Sequence, residues 1–231
     1  MKINKSKFIL LILLCLQGVL TFGQNVAGNY IEMRDQLKVL KDDNTLYSTL
    51  AGSPYVENEF VQGKIIIKGQ KDQPAYLKYN VAKDQIEIKA NPLQKDVFVL
   101  PRNNQYSFEL KNYTYYYGSV TTSKNGYLQG YLMKFYEGDD VGFIAKPVVR
   151  IERAKAAETS YDRAKPATMI VETEYYISVD GRPYEKIRLK ERIIKRKLKD
   201  SEKMEAYFDK HKVNSEDDVV DLLQFYEESA M

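Results

Sequence analysis

The chain has 231 residues, with 35 Lys and Arg against 32 Asp and Glu, one Cys and one His. A single Cys and a single His exclude an internal disulfide, a cysteine-ligated zinc site and a multi-histidine metal site. The sequence also contains no phosphate-binding glycine loop, no dinucleotide-binding glycine fingerprint and no Gly-x-Ser-x-Gly elbow. We therefore expect no cofactor and no metal.

The first 23 residues have the layout of a secretory signal peptide. Three lysines precede an apolar run from Phe8 to Leu16, and the small residue Gly23 follows that run. Cleavage after Gly23 starts the mature chain at Gln24. The alternative, a lipoprotein anchored at Cys15, lacks the small residue that its processing needs before the cysteine, because Leu14 stands there. We expect an exported protein, periplasmic or on the outer surface, without a transmembrane span in the mature chain.

Removal of the signal peptide changes the charge of the protein. The first 23 residues include three of the 35 basic residues and no acidic residue, so the mature chain has 32 of each and a formal net charge of zero. Without an excess of positive charge, the composition gives no support for nucleic-acid binding. We expect a partner from the cell envelope, either a protein or a glycan.

Residues 24–60 form an N-terminal segment whose structure the sequence leaves open. The stretch "IEMRDQLKVL" fits a strand by its alternation and a short helix by the spacing of Leu37 and Leu40. Further along, Glu57 and Glu59 follow a Ser-Pro turn and lie on the same side of the chain if it is extended. Two carboxylates in one cleft suffice for glycosidase-like chemistry, so this pair is the candidate for a carboxylate-dependent hydrolase.

Residues 61–189 are predicted to form an antiparallel β domain. Short runs rich in Ile, Val, Tyr, Phe and Thr alternate with Gly, Pro, Asn and Asp. This spacing fits a meander, a sandwich or an open barrel, and gives a mainly β fold class. The alternation stops between Arg150 and Pro166, which predicts a long mobile loop that is either functional or a plain connection.

The C-terminal tail, residues 190–231, is predicted to form short amphipathic helices packed on the sheet. Ser215 and Asp218 have the spacing of a capping box. The only histidine, His211, falls at the expected end of a helix, where an imidazole usually caps carbonyls or faces water. The apolar stripe that follows the capping box has helical spacing and consists of Val219, Leu222, Leu223 and Tyr226.

A basic block precedes these helices. Eight basic residues lie between Lys186 and Lys199 and only one acidic residue, Glu191, interrupts them. One interpretation is binding of an acidic partner, such as phosphorylated lipid headgroups or an anionic polymer. The other is that acidic residues of the adjacent helices neutralise the block.

Seven of the nineteen tyrosines lie in the 28 residues from Lys111 to Gly138. A two-residue turn at Asn125 and Gly126 would place Tyr117 opposite Lys134 and Tyr115 opposite Tyr136. One face of this hairpin then collects aromatic rings around a lysine, which suits stacking on sugars or peptides. The alternative is that both faces are buried, one by the opposite sheet and the other by the C-terminal helices. The candidate ligand-binding residues are Tyr113, Tyr115, Tyr117, Lys134 and Tyr136.

Three stretches resemble a group of small exported proteins of Bacteroidota that have no assigned function: "GSPYVENEF", "YNVAKDQIEI" and the segment from "YYISVDGRPYEKIRL" to "DLLQFYEE". The resemblance covers most of the mature chain. It implies an exported bacterial protein and assigns no catalytic or ligand residue. From the sequence we expect a non-enzymatic binding or interaction protein of the cell envelope, with a carboxylate-dependent hydrolase or a structural subunit of an envelope assembly as alternatives.

Overall fold

The computed structural model describes residues 38–39, 50–124, 126–157, 163–198 and 202–230. The predicted signal peptide, the ambiguous stretch before residue 38 and Asn125 lie outside the described residues. The chain divides into two units, residues 1–38 and 39–231. The description below concerns the second unit.

The described elements are twelve strands followed by three helices. The strands are β1 (Lys38–Val39), β2 (Ala51–Gly52), β3 (Val61–Ile67), β4 (Gln73–Asn80), β5 (Gln85–Lys89), β6 (Phe98–Val99), β7 (Tyr106–Leu110), β8 (Tyr113–Thr122), β9 (Gly126–Glu137), β10 (Gly142–Glu152), β11 (Thr168–Ser178) and β12 (Glu185–Ile187). The helices are α1 (Glu191–Lys195), α2 (Glu202–Lys210) and α3 (Glu216–Ala230). The predicted mainly β class with short C-terminal helices is confirmed.

One large sheet contains the strands of the second unit. Its order is β6-β5-β4-β3-β7-β8-β9-β10-β11-β12, and each neighbouring pair is antiparallel. The two-residue strand β2 pairs in parallel with β11, which makes the sheet mixed. Most neighbours in this order are sequential strands joined by short connections, but β7 pairs with β3 and not with β6, so the chain crosses over between β6 and β7.

The sheet curls back on itself. In sheet order, β4 and β9 are four strands apart, which is a distance of about 19 Å in a flat sheet. The ring centroids of Tyr79 on β4 and Tyr131 on β9 are nevertheless only 5.9 Å apart, and those of Tyr79 and Tyr115 on β8 are 4.9 Å apart. The curl encloses these three rings, which are almost completely buried.

The C-terminal helices pack on β9, β10 and β11. Phe143 and Ile177 of the strands share one hydrophobic cluster with Ile194 of α1, Met204 of α2 and Leu222 of α3. The predicted apolar stripe of α3 is therefore buried. The capping box is present as well, because the backbone N–H of Asp218 donates to Ser215 Oγ and that of Ser215 donates to the Asp218 carboxylate.

The segment predicted as a long loop is shorter than expected. The β10–β11 ladder continues to Glu152 and Thr168, and a further bridge joins Lys155 to Lys165. Two antiparallel strands therefore extend into the segment, and its centre, residues 158–162, lies outside the described residues.

Candidate functional site

The register of the β8–β9 hairpin differs from the predicted one. Thr122 pairs with Gly126, which leaves residues 123–125 as a three-residue loop instead of a two-residue turn. Gly126 has a φ of +76°, the left-handed conformation that closes such loops. As a result Tyr117 lies opposite Tyr131 and Tyr115 opposite Met133. The predicted pairs with Lys134 and Tyr136 were wrong.

The corrected register separates the five predicted ligand residues. Because partners in a ladder share a face, Tyr113, Tyr115 and Tyr117 lie on one side of the hairpin, while Lys134 pairs with Thr114 and lies on the other. Tyr115 is completely buried and Tyr113 almost so, whereas Tyr117 is half-buried. A flat surface formed by the predicted set does not exist.

Lys134 and Tyr136 have partners within the protein. The ammonium of Lys134 forms an ion pair with Glu137 at 2.6 Å. The hydroxyl of Tyr136 donates to Glu227 of α3, and this hydrogen bond together with burial raises the pKa of Tyr136 to about 12. The two residues help to line a shallow groove of about 440 Å³, to which Tyr113 also contributes.

A larger cavity lies next to this groove, where the start of β8, the end of β9, β11 and the start of α3 meet the β2–β3 segment, residues 53–60. Its volume is about 580 Å³. We call it the Glu57 cavity; the acidic and aromatic residues that line it are Glu57, Glu59, Glu216, Tyr113, Phe135 and Tyr175. Of the predicted ligand residues, only Tyr113 lines it.

The β2–β3 segment holds Glu57 against the sheet. The backbone N–H of Val56 donates to the carbonyl of Tyr79, and that of Val81 donates to the carbonyl of Pro54. The hydroxyl of Tyr55 donates to Glu87 on β5. These contacts fix the chain on both sides of position 55 and direct the Glu57 side chain inward, while Glu59 remains exposed.

The carboxylate of Glu57 is buried, and only one of its two oxygens accepts a hydrogen bond from the described residues. Glu57 is 8% exposed, and its Oε1 accepts a hydrogen bond from the hydroxyl of Tyr113. Its Oε2 and the hydroxyl of Tyr115 are both buried and have no hydrogen-bond partner of normal geometry among the described residues, although the Tyr113 and Tyr115 hydroxyls lie close enough for each to affect the pKa of the other. An unsatisfied buried polar atom costs about 1–3 kcal/mol, so the open acceptor of Glu57, which lines the cavity, requires a physical explanation.

The hydroxyls of Tyr113 and Tyr115 are buried and lie beside the carboxylate of Glu57. Burial raises the pKa of Tyr113 far above its usual value, and the hydrogen bond to Glu57 raises it further. Burial likewise raises the pKa of Tyr115, to which the charge of Glu57 adds. Both hydroxyls are therefore neutral donors at physiological pH.

A third carboxylate, that of Glu216, reaches the cavity from the first turn of α3. It accepts a hydrogen bond from the hydroxyl of Tyr175. Burial and this hydrogen bond raise the pKa of Tyr175. Neither Tyr175 nor Glu216 was identified from the sequence, because the contact joins a strand to a helix 41 residues away.

Among the described residues, the basic block forms its ion pairs with strands of the sheet. Its ion pairs within the described residues are Lys186 with Glu174 on β11 and Lys197 with Glu185 on β12. Its other described members are exposed: Arg188, Lys190, Arg192, Lys195 and Arg196. None of these ion pairs involves the acidic helices, so the interpretation that adjacent helices neutralise the block stays a prediction.

No protein-family model, no curated protein and no solved structure matches this chain. Among the described residues, no helix is long and apolar enough to cross a membrane. The same residues contain no cluster of three His, Cys, Asp or Glu side chains that could hold a metal ion. The candidate function therefore rests on the Glu57 cavity.

Proposed function

We propose that this protein is an exported binding protein of the cell envelope that takes its ligand in the Glu57 cavity. Export is supported by the lysines, apolar run and small residue of the first 23 residues. Binding is supported by a cavity that combines aromatic walls with a few polar groups, which is the usual composition of a ligand site.

One observation distinguishes this cavity from the other surface depressions. Glu57 is buried at its wall with one carboxylate oxygen unpartnered, beside the unpartnered hydroxyl of Tyr115. A purely structural carboxylate would be expected to have its partners within the protein, because burial without them is costly. A ligand that donates to Glu57 supplies the missing interaction.

Hydrolysis is the second candidate, and a specific observation favours it. Glu57 and Glu59, the pair predicted for carboxylate chemistry, line the same cavity, and Glu216 joins them. One of the pair is buried and the other exposed, which is the kind of asymmetry that separates an acid from a base or nucleophile. Binding without turnover remains our proposal because the cavity is open and all three carboxylates need only accept hydrogen bonds to hold a ligand.

The test compares which envelope compounds are retained by the wild-type protein and by a variant in which a new side chain fills the cavity. Thr173, half-buried on β11, lines the Glu57 cavity, and Thr173→Phe places a ring in it. Thr121→Phe makes the same change at an exposed position of β8 outside the cavity. The full-length exported protein and both variants are immobilised, exposed to an extract of their own envelope, and the retained compounds are identified by mass spectrometry.

We expect the wild type and Thr121→Phe to retain the same compound and Thr173→Phe to lose it. Equal retention by all three proteins would contradict binding in the cavity. Retention of a cleaved product that accumulates with time, and its loss in both Glu57→Gln and Glu59→Gln, would favour the hydrolase instead. Export is tested separately by sequencing the N-terminus of the protein from the envelope fraction, where Gln24 is expected first.

A further inference from the structure

The charges around the Glu57 cavity are unbalanced. Three carboxylates line it, those of Glu57, Glu59 and Glu216, against one ammonium, that of Lys111. Lys111 is exposed, and within the described part of the chain none of the four residues forms an ion pair with another. The cavity therefore has an excess of negative charge that the described residues do not compensate, and it favours a cation over a neutral or anionic ligand.

The unpartnered groups define the chemistry more closely. Glu57 Oε2 is an acceptor, so only a hydrogen-bond donor completes it. The hydroxyl of Tyr115 both donates and accepts, and it lies close enough to Glu57 for the carboxylate charge to raise its pKa. Tyr115 is completely buried and does not line the cavity, so the group that a ligand can complete is Glu57. An ammonium group has three donors and no acceptor, so it satisfies a carboxylate without bringing a second acceptor beside it.

The walls fit the rest of such a ligand. Aromatic rings attract cations when the charge lies within about 6 Å of the ring centre, and Tyr113, Phe135 and Tyr175 all face the cavity. Val56 and Met133 add apolar surface that an aliphatic stem can cover. Charge, donor pattern and walls thus point to the same ligand type.

Contact with Glu57 requires a small rearrangement. Its Oε2 is sealed from solvent, so either the side chain rotates toward the cavity or the β2–β3 segment shifts outward. The segment contains no helix and pairs with the sheet at Tyr55 only, and Asn58 and Glu59 are exposed. A shift of residues 57–59 therefore breaks no ladder of the sheet.

We infer that the ligand of the Glu57 cavity carries an organic ammonium group on an apolar stem, as a lysine side chain does. The inference rests on the proposed binding function and names the chemistry of its ligand. Glu57 accepts from the ammonium, the aromatic walls surround the charge and Glu59 and Glu216 add long-range attraction.

Three probes isolate the charge. They are Nα-acetyl-lysine methylamide, the same molecule acetylated on the side-chain nitrogen, and the norleucine analogue, which lacks that nitrogen. Binding is measured by backbone amide chemical shifts of the full-length exported protein. We expect the lysine probe to shift residues around the cavity and to bind about tenfold or more tightly than either neutral probe.

Variants connect the binding to Glu57. Glu57→Gln should weaken the lysine probe about tenfold or more, because it removes the charge and keeps the shape. Glu172→Gln is the matched control: it neutralises an exposed glutamate on β11 that does not line the cavity, and should leave binding unchanged. Amide spectra of both variants without probe establish that they remain folded.

The outcomes separate this inference from the proposed function. Equal affinity for all three probes, an unchanged affinity in a folded Glu57→Gln variant, or no binding of the lysine probe up to about 10 mM would overturn the ammonium inference. A neutral envelope compound that Thr173→Phe excludes would overturn the inference and leave the binding function intact. If Thr173→Phe still binds both the lysine probe and the envelope compound, the binding function itself is overturned.

Discussion

Two clusters in this protein place a carboxylate among buried tyrosines, and they differ in how completely the carboxylate is satisfied. Asp84, in the turn between β4 and β5, accepts from the hydroxyl of Tyr79 at 2.6 Å, the backbone N–H of Tyr131 at 3.1 Å and the ammonium of Lys146 at 3.4 Å. Glu57 accepts from Tyr113 alone. We call the first group the Asp84 cluster and the second the Glu57 cluster.

The difference separates a structural carboxylate from a candidate ligand contact. The Asp84 cluster joins the β4–β5 turn to β9 and β10, so it fastens the curled sheet across strands that are distant in sheet order. Its three donors all bind Asp84 Oδ1, and the side chain is 27% exposed, so solvent can reach the other oxygen. The Glu57 cluster lies at a cavity and leaves one oxygen of its carboxylate without a partner among the described residues, so a donor from outside would complete it.

The largest expected effect is a loss of stability at alkaline pH, which both clusters share. Burial raises the pKa of Tyr79, Tyr113 and Tyr115, and the neighbouring carboxylates raise it further. The unfolded chain releases these protons near pH 10 while the folded protein keeps them, so stability is fully present below pH 10 and falls above it. Each tyrosine contributes about 1.4 kcal/mol for every pH unit above 10.

Lys146 acts in the opposite direction, because burial lowers its pKa. The charged ammonium destabilises the folded state at lower pH. This destabilisation disappears as the pH rises from the folded-state pKa toward 10.5, the value in the unfolded chain. One lysine opposes three tyrosines, so the net change is a loss. Urea unfolding between pH 8 and 11 measures it. A Tyr113→Phe, Tyr115→Phe double variant should show a shallower decline, and a wild type equally stable at pH 8 and 11 would refute the account.

The next largest effect compares removal of the two carboxylates. Asp84→Ala removes the acceptor of the Tyr79 hydroxyl and the carboxylate partner of Lys146, whose side chain is 13% exposed and which keeps only the carbonyl of Tyr131 as an acceptor, so we expect a loss of about 3–5 kcal/mol. Glu57→Leu removes an acceptor from Tyr113 and also removes an unsatisfied buried oxygen, so we expect a change within about 1–2 kcal/mol. Chemical denaturation at pH 7 compares them; losses of equal size would mean that both carboxylates are structural.

Gly130 tests the crowding around the Asp84 cluster. It has a φ of +115°, and a Cβ there would lie 2.4 Å from Lys146 Nζ and 2.7 Å from Asp84 Oδ2. We expect Gly130→Ala to cost about 2–3 kcal/mol, through backbone strain together with displacement of the ion pair. Gly69 has a φ of +80° with no atom within 4 Å of its Cβ position, so Gly69→Ala measures the strain alone, about 1 kcal/mol. Equal melting temperatures for the two variants would show that the Lys146–Asp84 ion pair is displaced without a measurable loss of stability.

The smallest effect concerns single hydroxyl groups. Tyr79→Phe removes a hydrogen bond to Asp84, so we expect a loss of about 1–2 kcal/mol. Tyr115→Phe removes a hydroxyl that has no partner among the described residues, so we expect a change close to zero. Unfolding free energies from urea titrations distinguish the two. A larger loss in Tyr115→Phe would indicate that its hydroxyl is bonded in the free protein.

Local patterns predicted much of the fold. Alternation of apolar and polar residues identified the strands between Val61 and Ile187, and the capping box at Ser215 identified the start of α3. These features depend on neighbours within a few residues of each other. The hairpin register was missed because the loop has three residues and begins earlier in the chain than the predicted turn, which moves the partner of every β8 residue by three positions and changes the parity of every pair.

The candidate site was less predictable because its contacts are remote in sequence. Glu57 was selected as half of a carboxylate pair, but its hydrogen bond to Tyr113 spans 56 residues. The bond between Asp84 and Lys146 spans 62 residues. The periodicity of the sequence does not show which of the two carboxylates, Asp84 or Glu57, receives more hydrogen-bond donors. The donors are brought together by the curl of the sheet. Tyr115, proposed as a ligand contact, became part of the core for the same reason.

The most direct measurement of our central claim, that Glu57 is a ligand contact, is a crystal structure of the full-length exported protein with Nα-acetyl-lysine methylamide at saturating concentration. The account predicts the ammonium nitrogen within about 3 Å of a Glu57 carboxylate oxygen, with the stem against Phe135 and Tyr175. The claim would be contradicted if the probe is absent from the cavity and Glu57 has a protein group or a water molecule as its second partner.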